Sequence, residues 1–201
     1  MADQEVALVV GGGPGLSTSL VRLFTREGMK AAIAARNPDK LQTLSESTGC
    51  RVYGCDAVVP EEVNNLFARV TQDLGSPDVV VYNASGRVRG PLTELDASAV
   101  RDAIMVTCYG GFLVGQAAAS SMLRTGGGTI LFTGASASVK GYANSASFAM
   151  GKFGLSGLTQ SMARELQPQN IHVAQIIIDG GIKSPKRDSE QGPDTWLDPD
   201  S

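Results

Sequence analysis

The chain has 201 residues, 42% of them hydrophobic and 18% charged, with a formal net charge of −3. That is enough for one domain with a substantial core, and the composition suggests neither disorder nor a membrane class. The slight acidity, with no run of Lys or Arg, excludes nucleic acid as the main partner, and no apolar run approaches the roughly 18 residues of a bilayer span. The first residues, Met-Ala-Asp-Gln-Glu, lack the basic region of a secretory signal. Three cysteines, Cys50, Cys55 and Cys108, form no Cys-x-x-Cys pair, so a reduced, cytoplasmic protein is expected. With His172 as the sole histidine, no metal site is expected.

Strand-like and helix-like segments alternate along the whole chain. Val6 to Val10 is a continuous apolar run, as in a strand buried on both faces of a parallel sheet. A glycine-rich turn follows, then Leu16, Leu20, Leu23 and Phe24 at helical spacing, with Gly28 as the stop. Lys30 to Ala34 is the second strand. Pro38 to Glu46 reads as a helix, with Asn37 as N-cap and Pro38 at its first position. Arg51 to Gly54 is the third strand and Pro60 to Leu74 a helix. Val79 to Tyr82 is the fourth strand, and Ala97 to Leu123 a long helix with an Ala- and Gly-rich middle. Thr129 to Thr133 is the fifth strand, Ser145 to Leu166 another long helix, and Ile171 to Ile178 the sixth strand. Serial βα units predict a single α/β domain: a Rossmann-like, doubly wound parallel sheet with helices on both faces. The domain is expected over 1–184. Residues 185–201 are polar and without period, a loop or lid whose final Asp-Pro-Asp-Ser looks like a helix N-cap.

Gly11-Gly12-Gly13-Pro14-Gly15-Leu16-Ser17, between the first strand and a helix, has the makings of a phosphate cradle. Glycines let the backbone approach a pyrophosphate, and the helix start offers N–H groups and partial positive charge. Ser17 is small and can offer a hydroxyl to a phosphate. At the end of the second strand stands Arg36 rather than an acid. A guanidinium there suits a ribose 2′-phosphate, which favours NADP(H) over NAD(H). Phe148 and Lys152 are four residues apart, so in a helix they share a face. A lysine on such a face needs a polar partner, and a ribose hydroxyl would serve.

In these residues the chain resembles the short-chain dehydrogenase/reductase family, over residues 5 to about 184. Gly11, Gly15 and Ser17 stand at the positions of the family's Gly-x-x-x-Gly-x-Gly. Asp56 and Ala57 resemble its adenine-contacting pair, and Asn83 and Ala84 its Asn-Asn-Ala-Gly. Gly180 and Ile182 follow the sixth strand as its nicotinamide-side turn does. The family's catalytic residues are Asn, Ser, Tyr and Lys. Here Lys152 is kept, Phe148 stands for the Tyr and Thr107 for the Asn. Counting back from Phe148 puts the Ser at Ala135, with Ser136 one residue away.

The resemblance implies an NADP(H)-dependent oxidoreductase acting on a carbonyl or an activated alkene, with Tyr109 or Tyr142 as substitute acids. The alternative is an impaired NADP(H)-binding sensor or scaffold. The resemblance also implies a homodimer or homotetramer through the helices 97–123 and 145–166, whose Gly110, Gly111, Gly115, Ala117, Ala118, Gly154 and Gly157 would allow close approach. Trp196 is read as a lid or loop residue, and His172 as a strand-end residue.

Overall fold

The computed structural model describes residues 4–184 and 196–200. Its sheet has six parallel strands: β1 Val6–Val10, β2 Lys30–Ala35, β3 Arg51–Gly54, β4 Val79–Tyr82, β5 Gly128–Ala135 and β6 Ile171–Ile178. The order across the sheet is β3-β2-β1-β4-β5-β6. β1 therefore lies inside, with Ala7 opposite Ala31 on one side and Val79 on the other. Its five residues are all buried, which is why it is apolar without alternation.

The helices are α1 Leu16–Arg26, α2 Gln42–Thr48, α3 Pro60–Asp73, α4 Ala97–Ile104, α5 Gly110–Thr125 and α6 Ala146–Leu166. They cover both sheet faces. Val63, Leu66, Phe67 and Val70 of α3 join Leu113, Val114 and Met122 of α5 and Leu155 of α6 against Leu8, Val80 and Phe132. On the other face Val21 of α1 and Leu44 of α2 meet Val9, Ile33 and Val81. The chain changes winding direction between β1 and β4, so a crevice opens at the carboxyl ends of those strands.

Several local expectations are corrected. Pro38–Leu41 is a 3-10 turn that precedes α2, and Asn37 makes no side-chain cap. Gly28 does stop α1, at φ 85°, where its N–H bonds Thr25 O and that of Met29 bonds Phe24 O. β5 is longer than its apolar run because all eight residues from Gly128 to Ala135 pair with β6. At the far end Asp198 accepts from the N–H of Asp200, a local turn, and 198–200 form no helix. The expected lid falls mostly on 185–195 and 201, outside the described residues.

The helix expected from Ala97 is continuous to Thr125, with a π-helical segment at Met105–Tyr109 between α4 and α5. This run is long and apolar enough to cross a bilayer by length and composition, contrary to the count of apolar runs. Half of its most apolar stretch is buried. Most glycines of the small-residue group on these helices have close neighbours within the chain. A Cβ on Gly111 would lie 2.5 Å from Leu155, on Gly115 3.0 Å from Met162, and on Gly154 2.7 Å from Cys108 Sγ. Among the glycines of that group only Gly157 meets nothing within 4 Å.

Candidate functional site

The crevice holds a cleft of about 330 Å³. Gly11, Gly12, Gly13, Pro14, Leu16 and Ser17 line one wall, and Ala35 and Arg36 stand at the end of β2. Cys55, Asp56 and Ala57 stand at the end of β3, and Asn83, Ala84 and Ser85 at the end of β4. Eight of the sequence-derived binding residues are thus brought together: Gly11, Leu16, Ser17, Arg36, Asp56, Ala57, Asn83 and Ala84. Gly15, Lys152, Gly180 and Ile182 lie outside this cleft.

The turn is built for close approach. Gly11 adopts φ 102°, and a Cβ there would stand 2.7 Å from Ala84 Cα and 2.8 Å from Asn83 C. Gly12 packs on β2 and the turn after it, where a Cβ would meet Ile33 at 3.1 Å and Leu41 at 2.8 Å, whereas Gly13 meets nothing within 4 Å. The N–H groups of Gly11 and Gly12 both bond Ala34 O, at 3.0 and 2.8 Å, which anchors the turn. α1 carries no side-chain cap and no acid in its first turn. Its leading N–H groups and dipole are therefore directed at whatever enters, and an anion is the matching ligand.

Ser17 differs from expectation. Its hydroxyl donates to Gly11 O at 2.8 Å and accepts from Asn83 Nδ2 at 2.7 Å. It is 1% exposed. It ties the glycine turn to the exit of β4 rather than presenting a hydroxyl outward. Arg36 is exposed at the mouth of the cleft and makes no ion pair among the described residues. Asp56 Oδ1 accepts from Val58 N at 3.2 Å, and the Asp56 N–H bonds Glu62 Oε2 at 2.7 Å. This fixes the turn below the cleft.

Lys152 is 3% exposed on α6, and its Nζ donates to Thr133 O at 2.6 Å. The polar partner required of a lysine on that face is therefore a β5 carbonyl. An ammonium has three donors, and this is its one hydrogen bond among the described residues, so capacity remains for a ligand hydroxyl. Burial pushes its pKa from 10.5 down to about 8.

Phe148, one turn earlier, is half-buried, with Lys152 Nζ 5.8 Å from its ring centroid. A second cation approaches the same ring: Arg87 Cζ lies 4.7 Å from the centroid. Arg87 was missed from sequence. It follows Gly86 in the loop leaving β4, and no spacing rule links it to Phe148, 61 positions later.

Thr107 is fully buried inside the π-helical segment. Its Oγ1 accepts from Gly86 N at 2.8 Å and donates to Gly86 O at 3.3 Å, so it clamps that loop. Such one-turn π segments concentrate at functional sites. Ser136 opens the 3-10 turn Ser136–Ser138 and is half-buried, while Ser138 Oγ accepts from Ala135 N at 3.1 Å. Tyr109 is exposed and stacked on Phe112, ring centroids 6.1 Å apart. Tyr142 is also exposed, with Lys140 Nζ 5.1 Å from its ring. Both are held by neighbours other than Phe148 and Lys152.

After β6 the chain returns past the glycine turn. A Cβ on Gly15 would meet Lys183 O at 3.2 Å and Ile182 Cγ2 at 3.8 Å. Ile182 bridges Leu197 in parallel, with Lys183 N on Leu197 O at 2.9 Å and Leu197 N on Gly181 O at 2.8 Å. Trp196 packs on the Gly181 backbone and Leu197 on Gly180. His172 is exposed at the start of β6, as expected.

The family profile described as short chain dehydrogenase matches residues 5–192. Over 174 residues the chain is 31% identical to (+)-borneol dehydrogenase 1 of Salvia officinalis, covering 84% of this chain and 66% of that protein. It is 26% identical over 182 residues to the peroxisomal 2,4-dienoyl-CoA reductase of Mus musculus, covering 88% and 62%. It thus spans somewhat less than two thirds of the length of these relatives. Among solved structures, an actinorhodin polyketide ketoreductase variant with NADPH superposes with a TM-score of 0.86 at 26% identity, over 91% of this chain and 72% of that one.

Proposed function

The chain belongs to the short-chain dehydrogenase family, and from that premise we propose that it is an NADP(H)-dependent oxidoreductase that reduces an activated alkene. One observation carries the reading of the reaction: the ring one helical turn before Lys152 is a phenylalanine, flanked by two cations and carrying no hydroxyl. Reduction of a simple carbonyl needs a proton at the oxygen as hydride arrives, and loss of such an acid costs ~100- to 10,000-fold. Hydride addition to an alkene conjugated with a carbonyl places the charge on a remote oxygen, and the proton is added at carbon. The likeness to a dienoyl-CoA reductase supports the same class.

The residues present fit a nicotinamide dinucleotide. The glycine turn and the uncapped start of α1 suit its pyrophosphate, Arg36 a 2′-phosphate, Asp56 and Ala57 the adenine side, and buried Lys152 a ribose hydroxyl. When bound there, the reduced nicotinamide supplies a hydride. Lys152 orients the ribose as an ammonium and adds positive charge beneath Phe148. Asn83, through Ser17, keeps the glycine turn in register with β4. The ketoreductase neighbour, described with NADPH, supports the choice of phosphorylated nucleotide.

Calorimetric titration with NADPH and NADH, followed by NADPH oxidation against a panel of carbonyls and enones, tests this reading. NADPH is expected to bind at least tenfold more tightly than NADH, with Arg36→Ala removing the difference. Turnover is expected with enones, and Phe148→Tyr should slow it or leave it unchanged. Tight NADPH binding with no turnover, and activity appearing only in Phe148→Tyr, would instead identify a disabled nucleotide-binding protein.

The outer face of α5 and α6 supports self-association. Tyr109, at the end of the π-helical segment, and Phe112 of α5 are exposed three residues apart, as are Met150 and Phe153 of α6, apolar groups of the kind that mark protein contacts. A homodimer in the cytoplasm is expected. Light scattering at micromolar concentration should give twice the monomer mass, and Phe112→Glu should halve it. A native monomer would refute this.

A further inference from the structure

We propose that Arg87 is the group that holds the substrate's developing oxyanion, as the partner of an enolate rather than as a proton donor. This rests on the reading of the chain as an alkene reductase and adds the residue that would make such chemistry work without a hydroxyl at position 148.

The loop from Gly86 to Gly90 is fastened along its length. Gly86 is clamped at both N–H and C=O by Thr107 Oγ1. The Val88 N–H donates to Ser147 Oγ, whose hydroxyl donates back to Val88 O, both at 2.9 Å. The Gly90 N–H bonds Asn144 O at 3.3 Å. Gly86 also abuts α4 so closely that a Cβ would stand 2.5 Å from Ala103 Cα. The backbone of Arg87 is thus set between two fixed points.

Its guanidinium is set as well. Nη2 donates to Ser145 Oγ at 2.8 Å, and the group lies over the Phe148 ring. Ser145 is itself buried, just before α6. A guanidinium held over an aromatic face by a hydrogen bond at one end keeps its charge beside that ring. The phenylalanine then has a role of its own. It is the shelf on which one cation rests, while Lys152 approaches the same ring.

A fixed cation and a proton donor favour different substrates. An alkoxide is strongly basic and must be protonated as it forms. An enolate oxygen is a much weaker base, so a cation suffices. In the reaction the β-carbon of the enone takes hydride, two electrons and one hydrogen, from the reduced nicotinamide, which is thereby oxidised. The alkene π pair moves to become the enolate C=C, and the carbonyl π pair becomes the charge on oxygen beside Arg87. The enolate then re-forms the carbonyl as its α-carbon takes a proton from water, leaving hydroxide. The net change is one alkene reduced, one nicotinamide oxidised and one proton consumed. Arg87 releases no proton.

A phenolate resembles an enolate in charge and basicity, so 4-nitrophenol is a direct probe. Its phenolate absorbance is titrated with native protein, Arg87→Met and Arg87→Lys, without nucleotide and at saturating NADP+. Native protein is expected to favour the bound phenolate over the phenol at least tenfold relative to water. Arg87→Met should lose that preference, and Arg87→Lys should recover part of it. In enone turnover Arg87→Met should lower kcat on the order of 100-fold with little change in KM. Equal phenolate binding by native and Arg87→Met overturns the assignment of Arg87, even where enone turnover stands. Native protein that turns over no enone defeats the alkene-reductase reading, and with it the enolate role. Near-ultraviolet circular dichroism, matched between native and variants, separates these outcomes from misfolding.

Discussion

Gly11→Ala is expected to abolish nucleotide binding and to cost about 3 kcal/mol or more of folding stability. Two effects add. At φ 102° a side chain is strained whatever its surroundings, and the new methyl has backbone rather than a movable side chain before it, at Ala84 and Asn83. Relief requires β1 and β4 to part where their carboxyl ends frame the cleft, so fold and ligand site fail together. Gly13→Ala is the control. Its methyl meets nothing within 4 Å, so denaturant unfolding should match native protein within about 0.5 kcal/mol, and any loss should appear only in nucleotide titration. Native-like stability and affinity in Gly11→Ala would show that the turn relaxes freely.

Lys152→Met should separate stability from function. The buried ammonium has its pKa lowered from 10.5 to about 8, a depression equivalent to about 3 kcal/mol. The unfolded chain holds this proton more tightly. Native stability therefore falls as pH drops from about 10.5 to about 8, and below that the full penalty is present. Methionine removes the penalty but strips Thr133 O of its partner, a cost of about 1 kcal/mol or more. At pH 7 the variant should thus be more stable by about 1 to 2 kcal/mol, and the difference should vanish or reverse near pH 10.5. NADPH affinity should fall at least 100-fold in the variant. In native protein it should weaken above about pH 8 as the ammonium is lost. Denaturant unfolding and calorimetry across pH 6 to 11 measure both. A variant less stable than native protein at every pH would mean that Lys152 is not held against a desolvation cost.

The fold was legible because serial burial leaves a strong pattern: β1 and β4 are apolar without alternation, and α1 and α3 carry apolar stripes at helical period. The glycine turn could be placed because strand, turn and helix are contiguous. What stayed hidden depends on partners remote in sequence. The Ser17 hydroxyl turns inward because Asn83, 66 residues on, offers it a donor. Arg87 joins the site because Ser145 and Ser147 stitch its loop to the start of α6. The π-helical segment leaves no periodicity of its own, since a single widened turn shifts the pattern by less than the spread of a helical stripe. A lysine on the Lys152 face requires a polar partner, but that the partner is the Thr133 carbonyl leaves no trace in side-chain sequence.

The strand order carries a consequence for how the chain is made. β1, β2 and β3 join through neighbouring crossovers and can assemble as soon as the first 54 residues exist. β4 must instead pass two strands to reach the free side of β1, about 70 residues back. That single long closure is the slow, entropically costly step of such a topology. The cleft draws one wall from each side of it, Gly11 and Arg36 from the early half and Asn83 and Ala84 from the late half. A ligand bridging the two walls has nothing complete to hold until the closure is made. Once seated, it opposes the parting of the halves, and so acts on the lifetime of the folded chain more than on the speed of its formation.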